Sequence, residues 1–196
     1  MKTISALYDN HMDAVQAVRE LEAAGIPEKD ISLVSNTTNS SYEQEVAKDA
    51  GTGAGIGAAI GGTGGLLAGL GLLAIPGIGP VVAAGWLVAT AAGAAAGAAV
   101  GGITGGLVGA LTENGIPEED AHFYAEGVRR GGTLVSVRVA DDGRMSTIRS
   151  VLHRHSHVDQ GTRSRFYQDS GWTSFDETLQ PYTRDQITSE RSRWSR

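Results

Sequence analysis

Residues 51–112 contain no Asp, Glu, Lys, Arg or His, so 62 consecutive residues lack any ionisable side chain. A stretch that long cannot face water over much of its surface without leaving a large apolar patch, and it must pack against lipid, another chain or itself. Glycine sets the manner of packing. Of the 28 glycines in the chain, 20 fall in this stretch. Gly53, Gly57, Gly61, Gly65 and Gly69 recur every four residues, as do Gly93, Gly97, Gly101, Gly105 and Gly109, a row that Gly85 and Ala89 extend backward. Four-residue spacing draws one stripe along a helix. Each glycine costs about 1 kcal/mol against alanine in a helix interior, so two such rows require the close backbone approach that small-xxx-small helix pairs exploit.

Between the rows, Ala74-Ile75-Pro76-Gly77-Ile78-Gly79-Pro80 cannot continue a helix, and Pro76, Gly77, Gly79 and Pro80 are expected to form a tight apolar turn. The spacing predicts helix A over 53–74 and helix B over 81–111. At 1.5 Å per residue these would be about 33 and about 46 Å long, against a bilayer core of about 30 Å. The first expectation is a glycine-zippered helical hairpin in a membrane with both flanks cytoplasmic, so the partners are the lipid bilayer and further copies of the chain. The alternative is the apolar core of a cytoplasmic homo-oligomer. The orienting charge is weak, since Lys48 stands beside Asp49 and Glu113 follows the stretch.

A formal charge of −6 argues against nucleic acid as a partner. Without cysteine there is no disulfide framework and no thiolate metal site. The first nine residues lack the apolar run of a secretory signal, so the N-terminus is expected to stay on the side where it is made.

The flanks read as an α+β domain. A strand over 3–8 leads to Asp9 and Asn10, either of which could cap a helix over 11–24 with Met12, Val15, Val18 and Leu21 on one face. Gly25 ends it, and 31–35 form a second strand. Residues 36–49 are polar and read as a linker. The turn Gly25-Ile26-Pro27-Glu28-Lys29-Asp30 returns as Gly115-Ile116-Pro117-Glu118-Glu119-Asp120, opening a helix to about Arg130 that Gly131-Gly132 stop. Residues 133–139 alternate as a strand, 144–155 carry Met145, Ile148 and Leu152 on one helical face, and 157–159 could add a last strand. Without the insert the order is strand, helix, strand, strand, helix, strand, a split ferredoxin-like βαβ–βαβ arrangement. Four segments follow: 1–50, the first half with its linker; 51–112, the hairpin; 113–160, the second half with an entry helix; and 161–196, a polar tail expected to be disordered unless bound. Its Tyr182-Thr183-Arg184-Asp185 resembles a helix entry, and its aromatics could anchor it to a partner surface.

No catalytic constellation is discernible, and no cofactor is expected. Gly55, Gly57 and Gly61 have the spacing of a dinucleotide-binding loop but follow no strand and precede no acid at the required distance. His153, His155 and His157 alternate and could bind a transition metal from one face of an extended segment; a solvated helix-to-strand corner is the plainer reading. His122, Tyr124 and Glu126 share a helix without suggesting catalysis. Arg129 and Arg130 complement the negative end of that helix, with anion binding as the alternative role. Ferredoxin-like sheets also bind small regulatory ligands, which leaves a sensor module as a competing function.

Ala6-Leu7-Tyr8-Asp9, Asp30-Ile31-Ser32-Leu33-Val34, Ile75-Pro76-Gly77-Ile78-Gly79-Pro80 and Ala125-Glu126-Gly127-Val128-Arg129-Arg130-Gly131-Gly132 together resemble the bacterial general stress proteins with a heat-induced-stress (YflT-type) domain, interrupted by a glycine-rich hydrophobic segment. The resemblance spans about residues 1–160 and is most specific over 115–134. It implies a stress-induced, non-enzymatic protein and supplies no catalytic residues, so a structural, self-assembling role is the expectation from the glycine rows.

Overall fold

The computed structural model describes residues 2–36, 71–87, 90 and 106–194. The local signals at the start of the chain act as their chemistry requires. Strand β1 (Lys2–Tyr8) gives way to α1 (His11–Ala23), whose first turn is capped by Asn10 Oδ1 accepting from the Met12 amide at 2.9 Å. Gly25, at φ 77°, closes α1 in the left-handed conformation while the Ile26 amide reaches back to the Leu21 carbonyl at 3.0 Å. Strand β2 (Ile31–Asn36) follows. The repeated Gly-Ile-Pro turn repeats its physics: Gly115 at φ 87° closes α2 (Leu107–Glu113), Ile116 bonds back to Leu111, and Pro117 precedes α3 (Glu118–Arg129). Strand β5 (Thr133–Val139), α4 (Met145–Arg154), α5 (Gln160–Asp169) and α6 (Arg184–Trp194) complete the described chain.

The largest departure from expectation lies in the middle. The segment 71–85 is a β-hairpin, with β3 (Gly71–Ile75) and β4 (Gly79–Gly85) antiparallel around the Pro76-Gly77-Ile78 turn. The turn is where expected, but its arms are strands, so helix A cannot run to residue 74 nor helix B begin at 81. Three constraints produce this. Gly77 and Gly79 take φ of 72° and 90°. Pro76 and Pro80 withhold amides that a helix needs. And β4 pairs along the free edge of β2, from Ser32 opposite Gly85 to Asn36 opposite Val81. Gly85 sits at φ 84° with the Ile31 carbonyl oxygen where a Cβ would project, so it serves a strand end and not a helix row. Gly106, at φ 86°, breaks the other end of helix B immediately before α2, where Gly109 is buried. The remaining row positions, Gly53, Gly57, Gly61, Gly65, Gly69, Gly93, Gly97, Gly101 and Gly105, lie outside the described residues.

The sheet has the order β1-β5-β2-β4-β3 and every neighbouring pair is antiparallel. Its side chains alternate between two cores. Tyr8, Leu33, Val82, Val135 and Val137 meet Val15, Val18 and Leu21 of α1 and Ile148 and Leu152 of α4 on one face. Leu7, Val34, Val81 and Leu134 meet α2, α3 and the C-terminal segment on the other. Met12, expected on the buried stripe of α1, is half exposed. The last expected strand is reduced to a single bridge, Tyr8 opposite His157, with the Val158 amide donating to the Leu7 carbonyl at 2.7 Å before α5 begins.

Two further expectations change. The turn at 76–78 is not the distal tip of a spanning hairpin: Ile78 is fully buried, Gly77 abuts the Asp176–Glu177 backbone, and Gly79 lies against Pro181. No helix among the described residues is long and apolar enough to cross a membrane. The C-terminal tail forms two helices seated on the chain's own second sheet face, through buried Tyr167 and Ile187. Asp159 caps α5, and Thr183 with Gln186 forms a reciprocal capping box that starts α6.

Gly85→Ala separates strand from helix. In a helix it would stabilise by about 1 kcal/mol; in the observed left-handed, carbonyl-blocked position it is expected to lower the denaturant midpoint instead. His11 supplies a second test. Burial pushes its pKa down to about 4, below the unfolded value of 6.5, with Nδ1 3.1 Å from Ser35 Oγ. As pH falls the unfolded chain takes the proton first, so stability is full above pH 6.5 and is lost toward pH 4, by up to about 3 kcal/mol. Unfolding curves across that window should show the loss for the wild type and a flatter profile for His11→Gln.

Candidate functional site

Among the described residues the strongest concentration of buried charge sits where α3 ends under the C-terminal helices. Glu126 of α3 has no exposed surface, and the positions three and four residues on are Arg129 and Arg130, spaced to reach it. Arg129 Nη1 donates to both Glu126 carboxylate oxygens at 3.1 Å, and Arg130 Nε donates to Oε1 at 2.6 Å. Arg130 Nη1 also donates to Oε1 of Glu190, which α6 brings across the chain. Arg130 thus holds two carboxylates at once.

Aromatic faces enclose the guanidinium groups. Arg130 lies 4.2 Å from the Tyr167 ring centre and 5.3 Å from that of Tyr182, which Arg129 approaches to 4.8 Å. Arg129 Nη2 also donates to the Gln180 carbonyl at 3.3 Å. Burial opposes the charge of Arg130, yet Glu126 and Glu190 outweigh it and hold the guanidinium above its usual pKa. Glu190 behaves oppositely: burial pushes its carboxyl up, and the attraction of Arg130 offsets that only in part. Two adjoining cavities open here, of about 410 and 350 Å³, sharing Arg130, Ser170 and Tyr182 as walls.

A second set of charges fastens the tail. Arg163 makes a two-pronged pair with Asp9 at 2.8 and 2.7 Å and stacks 3.6 Å from the centre of Trp194. Arg191 donates to the Asp9 and Gly131 carbonyls at 2.6 and 2.8 Å.

The three alternating histidines do not converge. His153 and His157 stack with ring centres 4.2 Å apart, while His155 turns toward Glu20 at 3.2 Å, beside the Arg154–Glu20 ion pair. Burial, His157 and Arg149 lower the His153 pKa. Among the described residues no group of three or more His, Asp or Glu is placed to hold a metal. His122 accepts from the Phe175 amide through Nδ1, and the Tyr124 hydroxyl donates to the Ser5 carbonyl, so both tie elements together. Gly55, Gly57 and Gly61 lie outside the described residues.

From the sequence, Arg129 and Arg130 are expected only to complement the helix end or to bind an anion; the three- and four-residue spacing from Glu126 is the signal that could have joined it to them. Glu190 and Tyr182 were not visible as members, because a polar segment without apolar period carries no signal of where it docks. No protein-family model, curated protein or solved structure matches the chain.

Removing the shared cation tests the cluster. Arg130→Met leaves Glu126 and Glu190 buried without their common partner, at an expected cost of about 3–5 kcal/mol. Chemical denaturation should also show that replacing all three groups with apolar side chains recovers most of that loss.

Proposed function

We propose that this chain is a non-enzymatic structural protein that self-assembles through its charge-free glycine rows, with the α+β domain serving as their anchor. The observation that carries the reading is the 51–112 stretch, free of ionisable groups and marked by glycine every four residues. A stress association rests on the family resemblance alone. The domain itself is read as split ferredoxin-like. Support comes from β5 lying between β1 and β2 and antiparallel to both, from α1 and α4 sharing one face, and from the His157 bridge on the outer side of β1.

The β-hairpin changes how the rows can be used. It divides the charge-free stretch, leaving 51–70 before β3 and 86–106 between the end of β4 and α2. A bilayer excursion that returns to the same domain needs about 40 apolar residues, two spans of about 20. The two runs supply 20 and 21 residues, and the connections that contain them, 37–70 and 86–106, are each tied at both ends to one domain. That arithmetic favours lateral packing among copies over a spanning hairpin. Glycine rows suit such packing because they let backbones approach closely.

Size-exclusion chromatography with light scattering, with and without detergent, tests this. A multimer that forms without detergent and shrinks on combining Gly61→Leu with Gly101→Leu is the expected result. An unchanged particle after both substitutions refutes it. Assembly only in detergent, with the cellular protein resisting a carbonate wash of membranes, would instead favour the bilayer reading.

A further inference from the structure

The Arg130 cluster has an arrangement that assembly does not explain. Glu190 comes from the last described helix, across the 14-residue connection between α5 and α6. It places one carboxylate oxygen on the Arg130 guanidinium, while the other, Oε2, is buried without a hydrogen-bond partner. The side chain is more than nine-tenths buried and borders the 410 Å³ cavity. Ser170, Ser189, Gln186 and Arg193 supply further donors around that space, and Asp185 is its other acid. A carboxylate using half its acceptor capacity on a caged guanidinium beside an open, donor-lined cavity is placed as an internal ligand.

We propose that the Arg129–Arg130 corner is an oxyanion-binding site that takes a small phosphate or carboxylate, and that Glu190 is its intramolecular competitor. The chemistry follows from the groups present. Guanidinium forks match the planar or tetrahedral oxygens of such anions. Glu126 remains beneath both arginines, so the ligand displaces only the Glu190 carboxylate. Glu190 is carried on α6, whose other fastenings include the Arg191 contacts to the Asp9 and Gly131 carbonyls, buried Ile187 and the packing of Trp194 against Arg163 and Phe166. Anion binding therefore loosens the C-terminal helix from the sheet face, coupling a small ligand to release of a polar segment.

The test uses the full chain with inorganic phosphate and, separately, acetate as probes, followed by calorimetric titration and by trypsin cleavage at Arg191 and Arg193. Wild type should bind weakly, and Glu190→Gln should bind at least about tenfold more tightly, since a charge-assisted hydrogen bond contributes roughly 1.5–3 kcal/mol. Phosphate should speed cleavage of the wild-type tail. Equal or weaker binding by Glu190→Gln overturns the competitor assignment, as does phosphate binding with no change in cleavage. Arg130→Met should abolish binding. If that variant proves unfolded by circular dichroism, Arg129→Met takes its place, and undiminished affinity in a folded variant of either arginine overturns the site. Preference for phosphate over acetate at equal ionic strength assigns the ligand as a phosphate; the reverse assigns a carboxylate. None of these readouts depends on the glycine rows, so they fail or succeed independently of self-assembly.

Discussion

Everything in this fold depends on β5 entering between β1 and β2. The first 36 residues deliver two strands joined by α1, with the place between them unfilled, and neither strand can satisfy its inner backbone groups until residues 133–139 arrive. That pairing closes a loop of nearly 100 residues and joins the segments on either side of the charge-free stretch. It also leaves the outer edge of β2 available, and β4 occupies it. The edge that would otherwise be an aggregation template becomes the seat of an apolar hairpin.

The second face of the sheet shows how polar groups can do the work of a missing apolar stripe. The α5 and α6 helices have few large apolar residues, and Tyr167 and Ile187 are the buried anchors among them. Paired charges supply the rest: Arg163 with Asp9, and Arg130 between Glu126 and Glu190. Deleting one partner of the buried Arg130 pairs is costly because it strands a charge, but the assembled pairs stabilise little over an apolar equivalent, and the Asp9 side of the Arg163 pair is open to solvent. A segment attached in this way is well specified in position and comparatively easy to displace. Those are the properties a responsive element needs.

How far the structure could be read in advance varies with the range of the forces involved. Asn10, Gly25, Gly115, Pro117 and the alternation of Val135, Val137 and Val139 act within a few residues of themselves, and each does what its local chemistry demands. The Glu126–Arg130 spacing, one helical turn, is a local signal of the same kind, although the sequence expectation left Glu126 apart from the arginines. Residues 71–85 were not. A run of Leu, Ala, Ile and Val with prolines at its centre has no polar positions to reveal a period of two or of 3.6. The glycine at 85 matched the four-residue row by spacing while serving a strand end by conformation. Glu190 was illegible for a related reason, since its partner is 60 positions away.

The chain's own chemistry is sufficient for its caps, its twin Gly-Ile-Pro turns and the helices α1, α3 and α4, because side-chain oxygens, left-handed glycines and fixed proline angles need no distant partner. It also sets the charge-free character of 51–112. Whether 71–85 became helix or strand, and where residues 160–194 came to rest, was settled by long-range pairing. An apolar run takes the conformation that satisfies its backbone, and here the free edge of β2 offered ready hydrogen bonds. A polar segment takes the site where its charges find partners, and here those were Arg130 and Asp9.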